Sequence, residues 1–161
     1  MKIGYVLSGG ASRCISHLGI IKALEEMFEQ AEHMKDQYEL YQTSPMGMRF
    51  VKQSKAYMSP EYQKEAAYID TPFLTETKAT ETLLEDYQQI MLKHGGVPHW
   101  GKINSVLDGR HELIPQLYPV YKIWKKVLQR FNPNGTFDNM YVQRLGLRSA
   151  EVPELNKAAL V

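Results

Sequence analysis

Apolar and polar positions divide the chain into short segments of different period. Ile3 to Leu7 is a brief apolar run containing Val6 and Tyr5, which predicts a buried parallel strand. Ser8-Gly9-Gly10-Ala11-Ser12 predicts a turn. Ile15, Leu18, Ile20, Ile21, Leu24, Met27 and Phe28 then recur at helical spacing, so a helix is expected from near Ser16. A strand, a glycine-rich turn and a helix in that order form the geometry that cradles a phosphate or an oxyanion. From Glu29 to Glu39 the chain is charged, with no strong apolar face. Gly47 to Lys52 alternates, Met48 and Phe50 against Arg49 and Val51, and predicts a strand; Ala66 to Phe73 predicts another. Ala79, Leu83, Leu84, Tyr87, Ile90 and Met91 define an amphipathic helix over Thr77 to Lys93, capped by Thr75 or Thr77 and stopped by Gly95-Gly96. Trp100 to Val106 reads as a strand. Leu113 to Phe131 reads as one helix with Pro115 or Pro119 near its start and Pro133 beyond its end. A short helix over Asp138 to Leu145 and a frayed polar tail from Arg148 complete the expectation. The fold class predicted is α+β: antiparallel strands between Gly47 and Phe73 and near Lys102, covered by the helices that begin at Thr77 and Leu113.

Composition narrows this. A chain of 161 residues with 43% hydrophobic residues can bury a core and is one domain or a large piece of one. Its 19 basic and 18 acidic residues leave a net charge of +1, so charge gives no argument for nucleic acid or an anionic membrane. The single cysteine, Cys14, excludes an intramolecular disulfide and fits a reducing compartment. No apolar run approaches the roughly 20 residues that span a bilayer, and no signal peptide is evident. A cytoplasmic protein is expected, with peripheral membrane association left open.

Two resemblances carry chemistry. Lys2-Ile3-Gly4-Tyr5-Val6-Leu7-Ser8-Gly9-Gly10-Ala11-Ser12-Arg13, followed by His17-Leu18-Gly19-Ile20-Ile21-Lys22-Ala23-Leu24-Glu25-Glu26, resembles the opening of patatin-like phospholipases. That resemblance makes Gly9, Gly10 and Arg13 an oxyanion-like loop, whose backbone N–H groups would face an ester oxyanion. Ala11 and Cys14 stand where that family has further glycines. The nucleophile elbow Gly-x-Ser-x-Gly occurs nowhere in the 161 residues. Thr43-Ser44-Pro45-Met46-Gly47 places a proline after its serine, and Asp108-Gly109 matches the downstream aspartate motif only as a dipeptide. Without a nucleophile no acyl-enzyme forms, so a strand and helix that merely pack is the reading favoured over a lipid hydrolase.

The body of the chain carries four further runs: Gln42-Thr43-Ser44-Pro45-Met46-Gly47-Met48-Arg49-Phe50-Val51, Ala56-Tyr57-Met58-Ser59-Pro60, Gly96-Val97-Pro98-His99-Trp100-Gly101-Lys102, and Phe131-Asn132-Pro133-Asn134-Gly135-Thr136-Phe137-Asp138-Asn139. Together they resemble the C-terminal portion of the FAD-linked sugar-lactone and alditol oxidases, flavoproteins of the vanillyl-alcohol-oxidase type. Pro-His-Trp-Gly-Lys is the specific element. The resemblance implies the cap and C-terminal part of such a flavoprotein, FAD as cofactor, and a sugar lactone or polyol as substrate, as in D-arabinono-1,4-lactone oxidation. Lys102 and Arg49 would be the catalytic residues on the substrate side of the flavin, stabilising a developing alkoxide or holding hydroxyl oxygens. His99 would contact the flavin, and Trp100 would wall the pocket. No metal site is expected. Alditol-oxidising members place an acid two positions before the strand arginine; Gly47 stands there, which favours a lactone. The N-terminal FAD-binding domain of these oxidases is not recognisable, so the chain reads as a join near residues 26–32: a patatin-like segment at 1–30, the oxidase region at 31–147 and a flexible tail at 148–161. A complementary flavin-binding domain is the partner this implies, and a non-catalytic remnant packed on such a partner is a further reading.

Overall fold

The computed structural model describes residues 11–75 and 77–149, with side chains from residue 19 onward. The predicted strand Ile3 to Leu7, with Gly9 and Gly10, lies outside the described residues. Five helices and one two-stranded antiparallel sheet make up the described part: α1 Ala11–Tyr38, β1 Gly47–Val51, β2 Ala66–Asp70, α2 Lys78–Lys93, α3 Leu113–Leu117, α4 Tyr121–Phe131 and α5 Met140–Arg144. Mixed helix and antiparallel sheet agree with the expected α+β class. Among the described residues no helix is long and apolar enough to cross a membrane.

α1 departs from expectation at both ends. Ala11, Ser12 and Arg13 are helical rather than part of a turn, and the helix runs on through the charged stretch to Tyr38. Glu, Gln, Lys, Met and Ala are all strong helix formers, so charge did not end it. Its buried seam is sparse: Met27 and Met34 pack with Ala79, Leu83 and Tyr87 of α2, and Ala23 and Leu24 are buried as well. The seam ends where Glu39 takes a positive φ of 55° and Leu40 N–H reaches back to the Met34 carbonyl at 3.2 Å, a Schellman-type closure. α1 is unbroken across residues 26–32. Glu26 within that stretch binds Lys93 Nζ at 2.9 Å and lies 3.0 Å from His94 Nε2, pinning α1 to the end of α2. The hydrogen bond from Lys93, then that from His94, lowers the Glu26 pKa.

α2 forms as predicted. Thr77 is its cap, its hydroxyl accepting from Thr80 N–H at 3.2 Å. Gly95, at φ 76°, turns the chain away, and Gly96 closes the end by donating to the Met91 carbonyl at 2.7 Å; a Cβ on Gly96 would lie 2.7 Å from that same oxygen.

Three other expectations are corrected. Trp100 to Val106 is not a strand: it is a turn followed by a short 3-10 turn, Ser105–Leu107. Several of its backbone groups are engaged locally or by side chains, Lys102 N–H donating to the His99 carbonyl and the Trp100 carbonyl accepting from Tyr141, and the sheet among the described residues is β1–β2 alone. The predicted helix Leu113 to Phe131 is two helices. Pro119 lacks an N–H and drives Tyr118 to an extended φ of −119° and ψ of 99°, which breaks the helix there. The first residues of the expected tail are anchored, Ser149 being buried and hydrogen-bonded to Asp138, and residues 150–161 of that tail lie outside the described residues. β2 and α5 also end earlier than predicted, at Asp70 and Arg144.

A second core joins Val106, Leu107, Ile114, Tyr118, Leu145 and Leu147. It sits beneath the Pro98 to Lys102 loop, while the α1–α2 core takes Ile69 and Met46 from the sheet side. The outer stripe of α4, Ile123, Val127 and Phe131, is exposed, as is Phe50 on β1.

Candidate active site

The site is built where the hairpin meets the loop that follows α2. β1 and β2 pair with Gly47 opposite Asp70, Arg49 opposite Tyr68 and Val51 opposite Ala66. Alternation along each strand places these pairs on one face and Met48, Ile69, Phe50 and Ala67 on the other. Arg49 is therefore not an isolated solvated cation. Its Nη2 lies 2.9 Å from Asp70 Oδ1 and 2.8 Å from Oδ2, diagonally across the ladder.

Tyr68, directly opposite Arg49, links the hairpin to two other segments. Its hydroxyl donates to Glu61 Oε2 at 2.6 Å. Its ring meets the His99 ring edge-on, with centroids 6.0 Å apart. Glu61 reaches this position because the excursion between the strands folds back on itself, Ser54 N–H donating to the Glu61 carbonyl at 3.0 Å and Gln63 N–H to the Ser54 carbonyl at 2.9 Å. Burial first, then the bond to the Glu61 carboxylate, pushes the Tyr68 phenol up to about 12. The same bond, with help from Ser59, lowers the Glu61 pKa. Difference titration of the phenolate absorbance between wild type and Tyr68→Phe should thus show Tyr68 ionising near pH 12 rather than 10. In Glu61→Gln the value should fall only part of the way, because burial, the larger cause, remains. Ionisation at the ordinary phenol value would refute this pairing. Its stabilising contribution is complete below about pH 10, where the unfolded phenol titrates, and is lost as pH rises through the folded value.

His99, Trp100 and Lys102 share one turn. Gly101 N–H donates to His99 Nδ1 at 3.0 Å, and Lys102 N–H donates to the His99 carbonyl at 3.1 Å. With Nδ1 held as an acceptor, the proton of the neutral imidazole resides on Nε2, leaving an exposed N–H donor. The Lys102 side chain is likewise exposed.

Trp100 fixes the loop. Its indole stacks on Tyr118 at 5.0 Å and donates from Nε1 to the Met58 carbonyl at 2.6 Å, and its own carbonyl accepts from Tyr141 Oη at 2.6 Å. Tyr141 in turn accepts from Asn104 Nδ2 at 3.1 Å, and Asn104 accepts from Arg144 at 2.9 Å. Arg144 also pairs with Asp108. α5 stands where it does because the turn before it is closed by Asn132, whose Nδ2 donates to Asp138 Oδ1 and Ser149 Oγ at 2.9 Å each, and because Asn139 caps α5 from Val142 N–H at 3.0 Å. The two motifs that are far apart in the chain, Pro-His-Trp-Gly-Lys and Asn-Pro-Asn-Gly-Thr-Phe, are thus joined by the Tyr141–Trp100 bond.

The structure accordingly brings Arg49 and His99 together through Tyr68, and sets Lys102 beside His99 in the same turn. Glu61, Tyr68 and Asp70 were not anticipated; the alternation in Ala66 to Asp70 could have flagged Tyr68 and Asp70 as same-face residues, but only the register tells which residues oppose Arg49. Trp100 does line a cleft, of about 270 Å³, with Trp124, Leu128, Phe137, Tyr141 and Leu147. That cleft is apolar, and Arg49, His99 and Lys102 are not among its lining residues. Of the oxyanion-like loop, Gly9 and Gly10 lie outside the described residues, and Arg13 lies in the first turn of α1 rather than in a glycine turn.

The hairpin thus presents a cation beside a phenol–carboxylate pair, with an imidazole and an ammonium on one tight turn. Comparison with known proteins places the chain. Residues 18–145 match the D-arabinono-1,4-lactone oxidase family, and the chain belongs to that family. It is similar to L-gulonolactone oxidase of the shark Scyliorhinus torazame, 30% identical over 104 residues, covering 62% of this chain and 23% of that protein. It is 26% identical over 105 residues to the Mus musculus L-gulonolactone oxidase, covering 63% of this chain and 23% of that protein. With L-gulonolactone oxidase 5 of Arabidopsis thaliana it shares 33% identity over 109 residues, 63% of this chain and 18% of that protein. The chain therefore spans about a quarter of the length of the curated relatives it matches, with 23% covered in the animal proteins. No solved structure matches it significantly. The family match begins at residue 18, within α1 and ahead of the stretch at 26–32 where the sequence suggested a join.

Proposed function

We propose that this chain supplies the lactone-facing wall of an FAD-dependent sugar-lactone oxidase, corresponding to the cap and C-terminal part of a vanillyl-alcohol-oxidase-type flavoprotein. The observation that carries the reading is the convergence of Arg49, Tyr68 and His99 on one hairpin face, with Lys102 in the His99 turn, inside the family-matched residues. Arg49 and Lys102 carry only hydrogen-bond donors. Each binds a lactone or hydroxyl oxygen and favours negative charge on it. His99 fits the edge of a flavin ring: its Nδ1 is engaged by Gly101, so Nε2–H is the free donor, which is what the carbonyl-rich edge of an isoalloxazine accepts. When bound, FAD would supply the hydride acceptor for the oxidation, with His99 at its ring edge. The residues described here offer that edge contact alone. The grip on the FAD nucleotide is assigned to a complementary flavin-binding domain. Exposed apolar side chains such as Phe50 on β1 and Phe131 on α4, both more than 70% exposed, support a further packing partner of this kind.

Equilibrium binding of an aldono-1,4-lactone to the purified chain tests the reading. Arg49→Ala and Lys102→Ala are each expected to weaken it about tenfold or more, the loss of one charge-assisted hydrogen bond, with no change in melting temperature. Wild-type affinity in both variants would refute the assignment.

A further inference from the structure

The cations and the imidazole of this face can only donate. Arg49, Lys102 and the Nε2–H of His99 satisfy oxygen lone pairs, yet each hydroxyl of a polyhydroxylated lactone also brings a proton that needs an acceptor. Two carboxylates are at hand. Glu61 is already engaged by the Tyr68 hydroxyl at 2.6 Å. Asp70 receives a single nitrogen, Arg49 Nη2, at 2.9 Å and 2.8 Å from its two oxygens. A carboxylate has about four lone-pair sites, so roughly half of its accepting capacity is left. The space above it is also open. The residue opposite, Gly47, has no side chain, and a Cβ built there would meet only Asp70 Cβ, at 3.9 Å.

We propose that Asp70 is the acceptor for substrate hydroxyls at this site, and that with Arg49 it makes the site select a hydroxylated lactone over a bare lactone ring. The proposal rests on the lactone-facing reading given above. Gly47, which by sequence looked like an acid lost, is the opening through which a carboxylate from the neighbouring strand reaches the same face. Asp70 is more than 40% exposed and Arg49 more than 60%, so their ion pair adds little to stability. Removing the charge is therefore a clean perturbation.

The test is calorimetric titration of the chain with two probes, D-arabinono-1,4-lactone and γ-butyrolactone, the second having the ring and no hydroxyl groups. Wild type is expected to bind the hydroxylated lactone about tenfold or more tightly than γ-butyrolactone. Asp70→Asn is expected to lose that preference with unchanged melting. In Asp70→Asn/Gly47→Glu the carboxylate returns to the same face from the opposite strand, and the preference is expected to return. If Asp70→Asn retains the preference, the proposal is overturned and the lactone-facing reading stands. If Asp70→Asn lowers the melting temperature together with the preference, and the double variant restores melting but not the preference, Asp70 is a strand-pairing residue only, and the proposal is again overturned. If wild type binds neither lactone, the reading itself fails and takes the proposal with it.

Discussion

Trp100→Ala is expected to destabilise the chain by about 3 kcal/mol and to abolish lactone binding. The indole is partly buried, stacked on the fully buried Tyr118, and it bonds the Met58 carbonyl at 2.6 Å. Truncation removes this packing and leaves a carbonyl without its donor. It also opens a cavity beside the existing apolar cleft, which the second core, already close-packed at Leu107 and Leu145, cannot collapse to fill. For a domain of this size the melting temperature should fall by roughly 6–12 °C. Function suffers separately, because Trp100 is the residue between His99 and the Gly101-Lys102 end of the turn. Without its anchor the imidazole and ammonium lose their fixed spacing. Trp100→Phe separates the two contributions: the stack survives and only the Nε1 bond is lost, so about 1 kcal/mol is expected. A thermal melt in which Trp100→Ala and Trp100→Phe behave alike would contradict this account.

The second large effect lies 32 residues further on. Asn132→Ala should cost about 2–3 kcal/mol, although it removes only an amide. Asn132 is 2% exposed and has both ends of its side chain in use: Nδ2 serves Asp138 and Ser149, and Oδ1 accepts from Phe137 N–H at 3.1 Å. Alanine leaves the Phe137 N–H without its acceptor and takes the amide donor from the Asp138 carboxylate and from Ser149 Oγ, so that Asp138 is held by Ser149 alone. The turn that delivers Asn139 to its capping position then loosens, and with it the Tyr141 hydroxyl that holds the Trp100 carbonyl. Chemical denaturation should show the lower midpoint, and lactone affinity should fall with it even though Asn132 touches no site residue. A variant as stable as wild type would mean that solvent readily replaces the amide.

The sequence made the regular elements legible where period and end signals agreed. β1 and α2 carry alternation and a capped helical stripe, and both formed within a residue of expectation. It misled where backbone groups are satisfied by distant side chains. Nothing in Trp100 to Val106 announces that Tyr141 will take its carbonyl, so an apolar-rich segment looked like a strand. α1 extends beyond expectation because the charged stretch from Glu29 to Glu39 buries only Met34, too little to show an apolar face, while its residues are strong helix formers. The break at Tyr118 follows from Pro119, whose effect was placed at the helix start instead of inside it. Of the candidate site, Arg49, His99 and Lys102 were legible as chemistry-bearing types in a recognisable order. Glu61, Tyr68 and Asp70 became visible only through strand register, and that same register turns Gly47 from a deficiency into an opening.

The central claim is that the hairpin face and the Pro98 to Lys102 turn, rather than the apolar cleft, meet the sugar lactone. Backbone amide chemical-shift mapping during titration with D-arabinono-1,4-lactone addresses it most directly. The account predicts shifts concentrated at residues 47–51, 66–70 and 99–102, with Trp124, Leu128 and Phe137 of the cleft unmoved. Shifts confined to the cleft, or none at saturating lactone, would contradict it.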